Sequence, residues 1–174
     1  MELSGKRVAI LVEEMYNEME FWYPYYRMIE AGARVTVIGT GAKEYMSKVG
    51  LAAPGGTSAD AVKAADFDAV IVPGGYAPDR MRRNEAMIRL VRDCFEQGKI
   101  VAAICHAGWV LVSAQILKGK TATCFSSIKD DVINAGAHYK DQEVVRDGNL
   151  ITSRKPDDLP AFCRAAIQFL TAGK

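Results

Sequence analysis

Only two histidines occur in the 174 residues, and the four cysteines, Cys94, Cys105, Cys124 and Cys163, stand far apart with no CxxC pair. Zinc sites draw on closely spaced Cys and His ligands, so no metal site is expected. No GxGxxG follows the first apolar run, which leaves a dinucleotide phosphate without its usual cradle, and no cofactor is expected. Basic blocks are missing too. Twenty-two Lys and Arg stand against 21 Asp and Glu, a net charge of +1 that speaks against nucleic acid as a partner. No apolar stretch approaches the roughly 18 residues of a membrane span, and Met1–Lys6 lacks the pattern of a signal peptide. The expected address is therefore cytoplasmic, where the cysteines are thiols.

What is present is ordinary for a globular chain: 49% apolar and 25% charged residues. A single domain over residues 1–174 is expected, without internal repeat or linker. Short, nearly continuous apolar runs at 6–12, 34–39, 66–72 and 100–104 read as strands, the first buried on both faces. Helices are expected over 18–31, with Met19, Trp22, Tyr23, Tyr26 and Ile29 at helical spacing and Pro24 bending it, over 85–97, and over 108–117. The Gly-rich segment 40–57 suits a small antiparallel excursion. Further on come a strand at 121–125, a helix at 128–135, a hairpin over 144–151 turning at Asp147-Gly148, and a last helix opened by Pro156. Strands alternating with helices give an α/β class with a mostly parallel central sheet covered on both faces.

Ligands of such a sheet gather outside the carboxyl ends of its strands. Three segments end there: Glu13–Glu20, Pro73–Asp79 and Cys105–Gly108. A cysteine between a buried strand and a helix start feels the positive end of the helix dipole, which favours thiolate and makes Cys105 the candidate nucleophile. The His106 and Gly75 backbone N–H groups are the candidate oxyanion hole. Cys94 and Cys163 read as helix packing residues, Cys124 as a possible second thiol, and His138 as a solvated loop residue.

Four stretches, Ala103-Ile104-Cys105-His106, Val72-Pro73-Gly74-Gly75, Ser127 to Gly136 and Thr152-Ser153-Arg154, resemble the PfpI-type intracellular proteases of the ThiJ/PfpI superfamily, which is class I glutamine amidotransferase-like. The resemblance implies a flavodoxin-like three-layer sandwich with the cysteine in a strained elbow. It implies that Glu20 hydrogen-bonds the Cys105 sulfur, and that His106 is oriented by an acid of a neighbouring subunit, matched by Asp79, one methylene shorter than the family's Glu. On its own, Glu20 would read as a solvated first-turn acid and Asp79 as a helix N-terminal one. The family's motif continues Cys-His-Gly, whereas Ala107 stands here, and its methyl is expected to crowd the elbow and narrow the pocket. Tyr16, Gly74, Tyr76, Trp109 and Arg154 are the candidate pocket residues; for Trp109 plain packing is an equal alternative. Lys129, Asp130 and Asp131 set local structure.

Relatives of this type are described as peptidases, deglycases and glyoxalases, so the expected function is a cysteine hydrolase acting on peptides or small carbonyl adducts. A non-catalytic thiol stress sensor is the alternative, and a flavodoxin-like binding module comes last. A homo-oligomer is expected, a dimer or a hexamer, with Tyr23 and Tyr25 suited to its interface.

Overall fold

The innermost strands are the ones with no polar alternation, because each is covered on both faces. The structure is a computed structural model and describes residues 1–172. The chain begins with β1 (Arg7–Leu11), α1 (Glu18–Glu30), β2 (Arg34–Gly39), a hairpin of β3 (Glu44–Met46) and β4 (Ala52–Pro54), and β5 (Thr57–Ser58). There follow β6 (Ala69–Val72), α2 (Ala77–Met81), α3 (Glu85–Glu96), β7 (Ile100–Ile104) and α4 (Gly108–Ala114). The chain closes with β8 (Thr121–Ala122), α5 (Lys129–Asn134), β9 (His138–Tyr139), β10 (Val145–Asp147), β11 (Leu150–Ser153) and α6 (Leu159–Ala172).

One sheet runs β10-β11-β7-β6-β1-β2-β5, parallel throughout except for β10. With the two-residue edge strand β5 set aside, the parallel strands stand in the order second, first, third, fourth, fifth, which is the flavodoxin-like arrangement. Helices α1 and α6 pack together on one face, α3 and α4 on the other, giving the three-layer sandwich. The elbow after β7 therefore lies beside the turn after β6, at the carboxyl edge of the sheet.

Several elements depart from expectation. In α1 the stripe at helical spacing is the outer face: Met19 is 53% and Tyr26 61% exposed, while Glu20, Phe21, Pro24 and Met28 are buried. The helix is apolar on two sides, and spacing alone does not say which side meets the sheet; α1 continues helical through Pro24. Helix α4 stops at Ala114 because Gln115 turns left-handed at φ +61°. Thr121–Phe125 contributes only β8, which pairs with β9 outside the main sheet. The hairpin at Asp147-Gly148 forms as expected, and its return strand β11 joins the main sheet beside β7. The excursion at 40–57 is the antiparallel pair β3 and β4.

Candidate active site

Cys105 follows β7 directly and adopts φ +62°, the left-handed region that costs a non-glycine residue about 1–2 kcal/mol. It is followed by a tight 3-10 turn, Cys105–Ala107, which hands the chain to α4. This is the strained elbow, and Ala107 sits in it fully buried, its methyl absorbed by the core.

The acid arrives from α1. Asn17 caps that helix, its side-chain oxygen accepting from the N–H groups of Met19 and Glu20. The cap is pinned to the neighbouring turn, because Asn17 N–H donates to Gly74 O at 3.1 Å and Tyr76 N–H donates to Met15 O at 2.9 Å. Glu20 is thereby carried inward to full burial, and its Oε2 accepts the Gly74 N–H at 2.8 Å. Gly74 is required for this approach. A Cβ there would lie 2.5 Å from Glu20 Oε2 and 2.8 Å from Cys105 Cβ. Gly75 adds a φ of +84° and an equally close approach to Asn17.

The sulfur is not an exposed thiolate, which corrects the expectation drawn from the helix dipole. Cys105 is 7% exposed, and burial, followed by the nearby charge of Glu20, pushes its thiol up to about 12. The backbone N–H groups of His106 and Gly75 act against this, and they are the two groups assigned to an oxyanion hole. Burial likewise raises Glu20 to about 7, opposed by the Gly74 N–H and by the neighbouring Cys105 side chain, and its buried Oε1 has no hydrogen-bond partner among the described residues. Carboxyl and thiol titrate as a pair. Both shifts favour the uncharged forms, and a charge on Glu20 opposes a second one on the Cys105 sulfur.

His106 is the third member. Its Nδ1 lies 3.3 Å from Cys105 Sγ and its Nε2 3.1 Å from Ser127 Oγ. Phe125 stacks on the ring at 5.0 Å between centroids and Trp109 meets it edgewise at 5.4 Å. Burial and the charge of Lys48 lower the imidazole pKa, so the ring is neutral at pH 7. Sequence reasoning missed Ser127 and Phe125 as parts of the site. Their signal, a polar residue two positions after an aromatic, is too common to stand out.

The remaining candidates divide. Tyr76 is exposed beside Gly75, and Trp109 flanks His106 while donating its indole N–H to Asp131 Oδ2 at 2.8 Å. Tyr16 is no pocket wall: it is wholly buried, with its hydroxyl donating to Leu51 O. Arg154 is committed elsewhere, to Asp158 and Asp141, which ties the end of β11 to the start of α6. Asp79 is exposed on α2, and among the described residues its carboxylate touches no partner. The other three cysteines are buried thiols, and His138 is exposed on β9.

The deglycase PfpI of Pyrococcus furiosus is 39% identical over 170 residues, covering 94% of this chain and 99% of the relative. Protein/nucleic acid deglycase 2 of Escherichia coli is 41% identical over 171 residues, covering 97% and 99%. A solved two-domain protein from Anabaena variabilis, with DJ-1/ThiJ/PfpI-like and ferritin-like domains, superposes with a TM-score of 0.93 at 45% identity; 95% of this chain is covered and 48% of that one, about half its length. The elbow, the buried acid and the paired glycines thus lie in a chain whose residues 6–169 match the DJ-1/PfpI family model, and the protein belongs to the DJ-1/PfpI family.

Proposed function

We propose that the protein is a cysteine-dependent enzyme acting on small reactive carbonyl compounds or their adducts, in the manner its deglycase relatives are named for. The observation that carries this reading is the convergence on one sulfur of a buried carboxyl, a neutral imidazole and two backbone N–H groups. As substrate enters, the S–H bond breaks and the proton passes to His106 Nδ1. The sulfur's electron pair then adds to the carbonyl carbon, and the C=O π pair moves onto oxygen. The N–H groups of Gly75 and His106 receive that oxyanion. Glu20 holds the second proton position and keeps a single charge in the pocket.

The low exposure of Cys105, 7%, favours the small substrate over a peptide. A cavity of about 800 Å³ lies along α1 and the start of α6, lined by Trp22, Tyr26, Leu51 and Leu159, away from the elbow.

Self-association belongs to the same reading. Met19, Tyr23, Tyr26 and Ile29 are exposed on one helix face, flanked by Arg27, Glu30 and Glu18, charges of both signs that a second copy related by a two-fold axis would complement. Asp79, exposed on α2, is the acid such an assembly would offer to a neighbouring His106.

The test is methylglyoxal consumption by wild type, Cys105→Ala and Glu20→Gln, with fluorescent casein in parallel. Turnover lost with Cys105 supports the enzyme. Selective peroxide oxidation of Cys105 without turnover of either substrate replaces it with the thiol stress sensor.

A further inference from the structure

We infer that Ser127 is a positioning residue for His106, fixing the imidazole with Nε2–H toward its hydroxyl and the Nδ1 lone pair toward the Cys105 sulfur. The inference rests on the enzymatic reading above and assigns the ring's orientation to a residue of the same chain.

A neutral imidazole has one N–H and one lone pair, and here both nitrogens are engaged, Nδ1 at 3.3 Å from sulfur and Nε2 at 3.1 Å from a hydroxyl. A base for the Cys105 proton needs its lone pair on Nδ1, so the proton belongs on Nε2. A serine hydroxyl accepts there in both states of the cycle. It takes the Nε2–H of the neutral ring, and it takes the same N–H, more strongly, once Nδ1 has gained the proton and the ring is an imidazolium.

The segment carrying Ser127 is built onto the elbow. Phe125 N–H donates to Cys105 O at 3.3 Å, and the Phe125 ring stacks on His106. The 3-10 turn Ser126–Ile128 follows immediately, closed by Ile128 N–H to Phe125 O. Ile128 is buried against Gly108, where a Cβ would come within 2.9 Å of its Cδ1. Cysteine, histidine and serine are therefore held by one loop-to-loop hydrogen bond, one stacked ring and one packed side chain. Water could replace the hydroxyl as an acceptor; it would not fix the ring's direction.

Ser127 is exposed, so its variants should fold as wild type does. The test compares wild type, Ser127→Ala, Ser127→Thr and Ser127→Asp in methylglyoxal turnover and in iodoacetamide labelling of Cys105, with Tm recorded for each. Ser127→Ala is expected to lower kcat and the labelling rate about tenfold, the worth of one hydrogen bond of about 1.4 kcal/mol, with KM and Tm unchanged. Ser127→Thr should restore both rates to within about twofold. Ser127→Asp should raise the imidazole pKa and move the acidic limb of kcat/KM to higher pH. Wild-type rates in Ser127→Ala, or failure of the threonine to rescue, would overturn the inference. The labelling arm keeps the two readings apart. Absence of Cys105-dependent turnover in wild type refutes the enzyme, while labelling still reports whether Ser127 directs the histidine.

Discussion

At Cys105 the backbone and the side chain are both held in conditions they would not choose. A cysteine at φ +62° stores about 1–2 kcal/mol that a glycine would not. Cys105→Gly is therefore expected to be more stable than Cys105→Ala by about 1 kcal/mol in urea unfolding, both variants being inactive; equal stabilities would mean that the elbow is unstrained. The buried acid beside it has the opposite signature. Glu20 in the folded chain titrates near 7 against an ordinary 4.5, so its contribution to stability is complete below about 4.5 and is lost as pH rises through about 7. Glu20→Gln removes that loss while its amide oxygen can still accept the Gly74 N–H. The variant should match wild type in unfolding free energy and Tm near pH 4.5 and exceed it at pH 8, by on the order of 3 kcal/mol in unfolding free energy. A Tm difference that does not change with pH would contradict this.

Among the elements, the loop into α1 does the positioning. Asn17 caps the helix and is itself bonded to Gly74, so one residue sets where Glu20 enters the core. Asn17→Ala should lower stability by about 1 kcal/mol, a typical cost of a lost cap, and lower activity by more than that loss explains, because Glu20 moves with the helix. Retained kcat would show that the cap holds only the helix. The elements were legible where one physical signal decides them. Val8–Leu11 and Ile100–Ile104 are apolar without alternation and are central strands; Asp147-Gly148 makes its hairpin turn. Where two signals compete, the sequence was ambiguous. Phe21, Pro24 and Met28 and the stripe Met19-Tyr23-Tyr26 are both apolar, and only packing shows which faces the sheet. The candidate site divides in the same way. Cys105 and Gly75 were readable from a strand-to-helix junction and a Gly-Gly turn. The burial of the sulfur, the Ser127 contact and the core role of Tyr16 are tertiary facts with no local trace.

Over the whole molecule, the outer face of α1 is the large apolar surface left uncovered. Tyr26→Glu, placed at its most exposed aromatic, is expected to lower the sedimenting mass without changing the unfolding free energy of the isolated chain by more than about 1 kcal/mol. An unchanged mass would remove α1 from the interface. The sheet itself serves the chemistry by register: β6 and β7 run side by side, so the Gly74-Gly75 turn and the elbow emerge at one edge, and α1 lowers its acid between them. The Cys105 sulfur is in this way kept under cover, with the Glu20 carboxyl beside it and His106 Nδ1 at 3.3 Å. The most direct measurement is the rate of Cys105 alkylation by iodoacetamide against pH, in wild type and in Glu20→Gln. The expected result is a rate that is still rising well above pH 8 in wild type, whose thiol is held up to about 12, and a rise that moves to lower pH in the variant, because the charge of Glu20 no longer opposes the thiolate. A wild-type rate already flat from pH 5 upward, or one identical curve for both proteins, would contradict it.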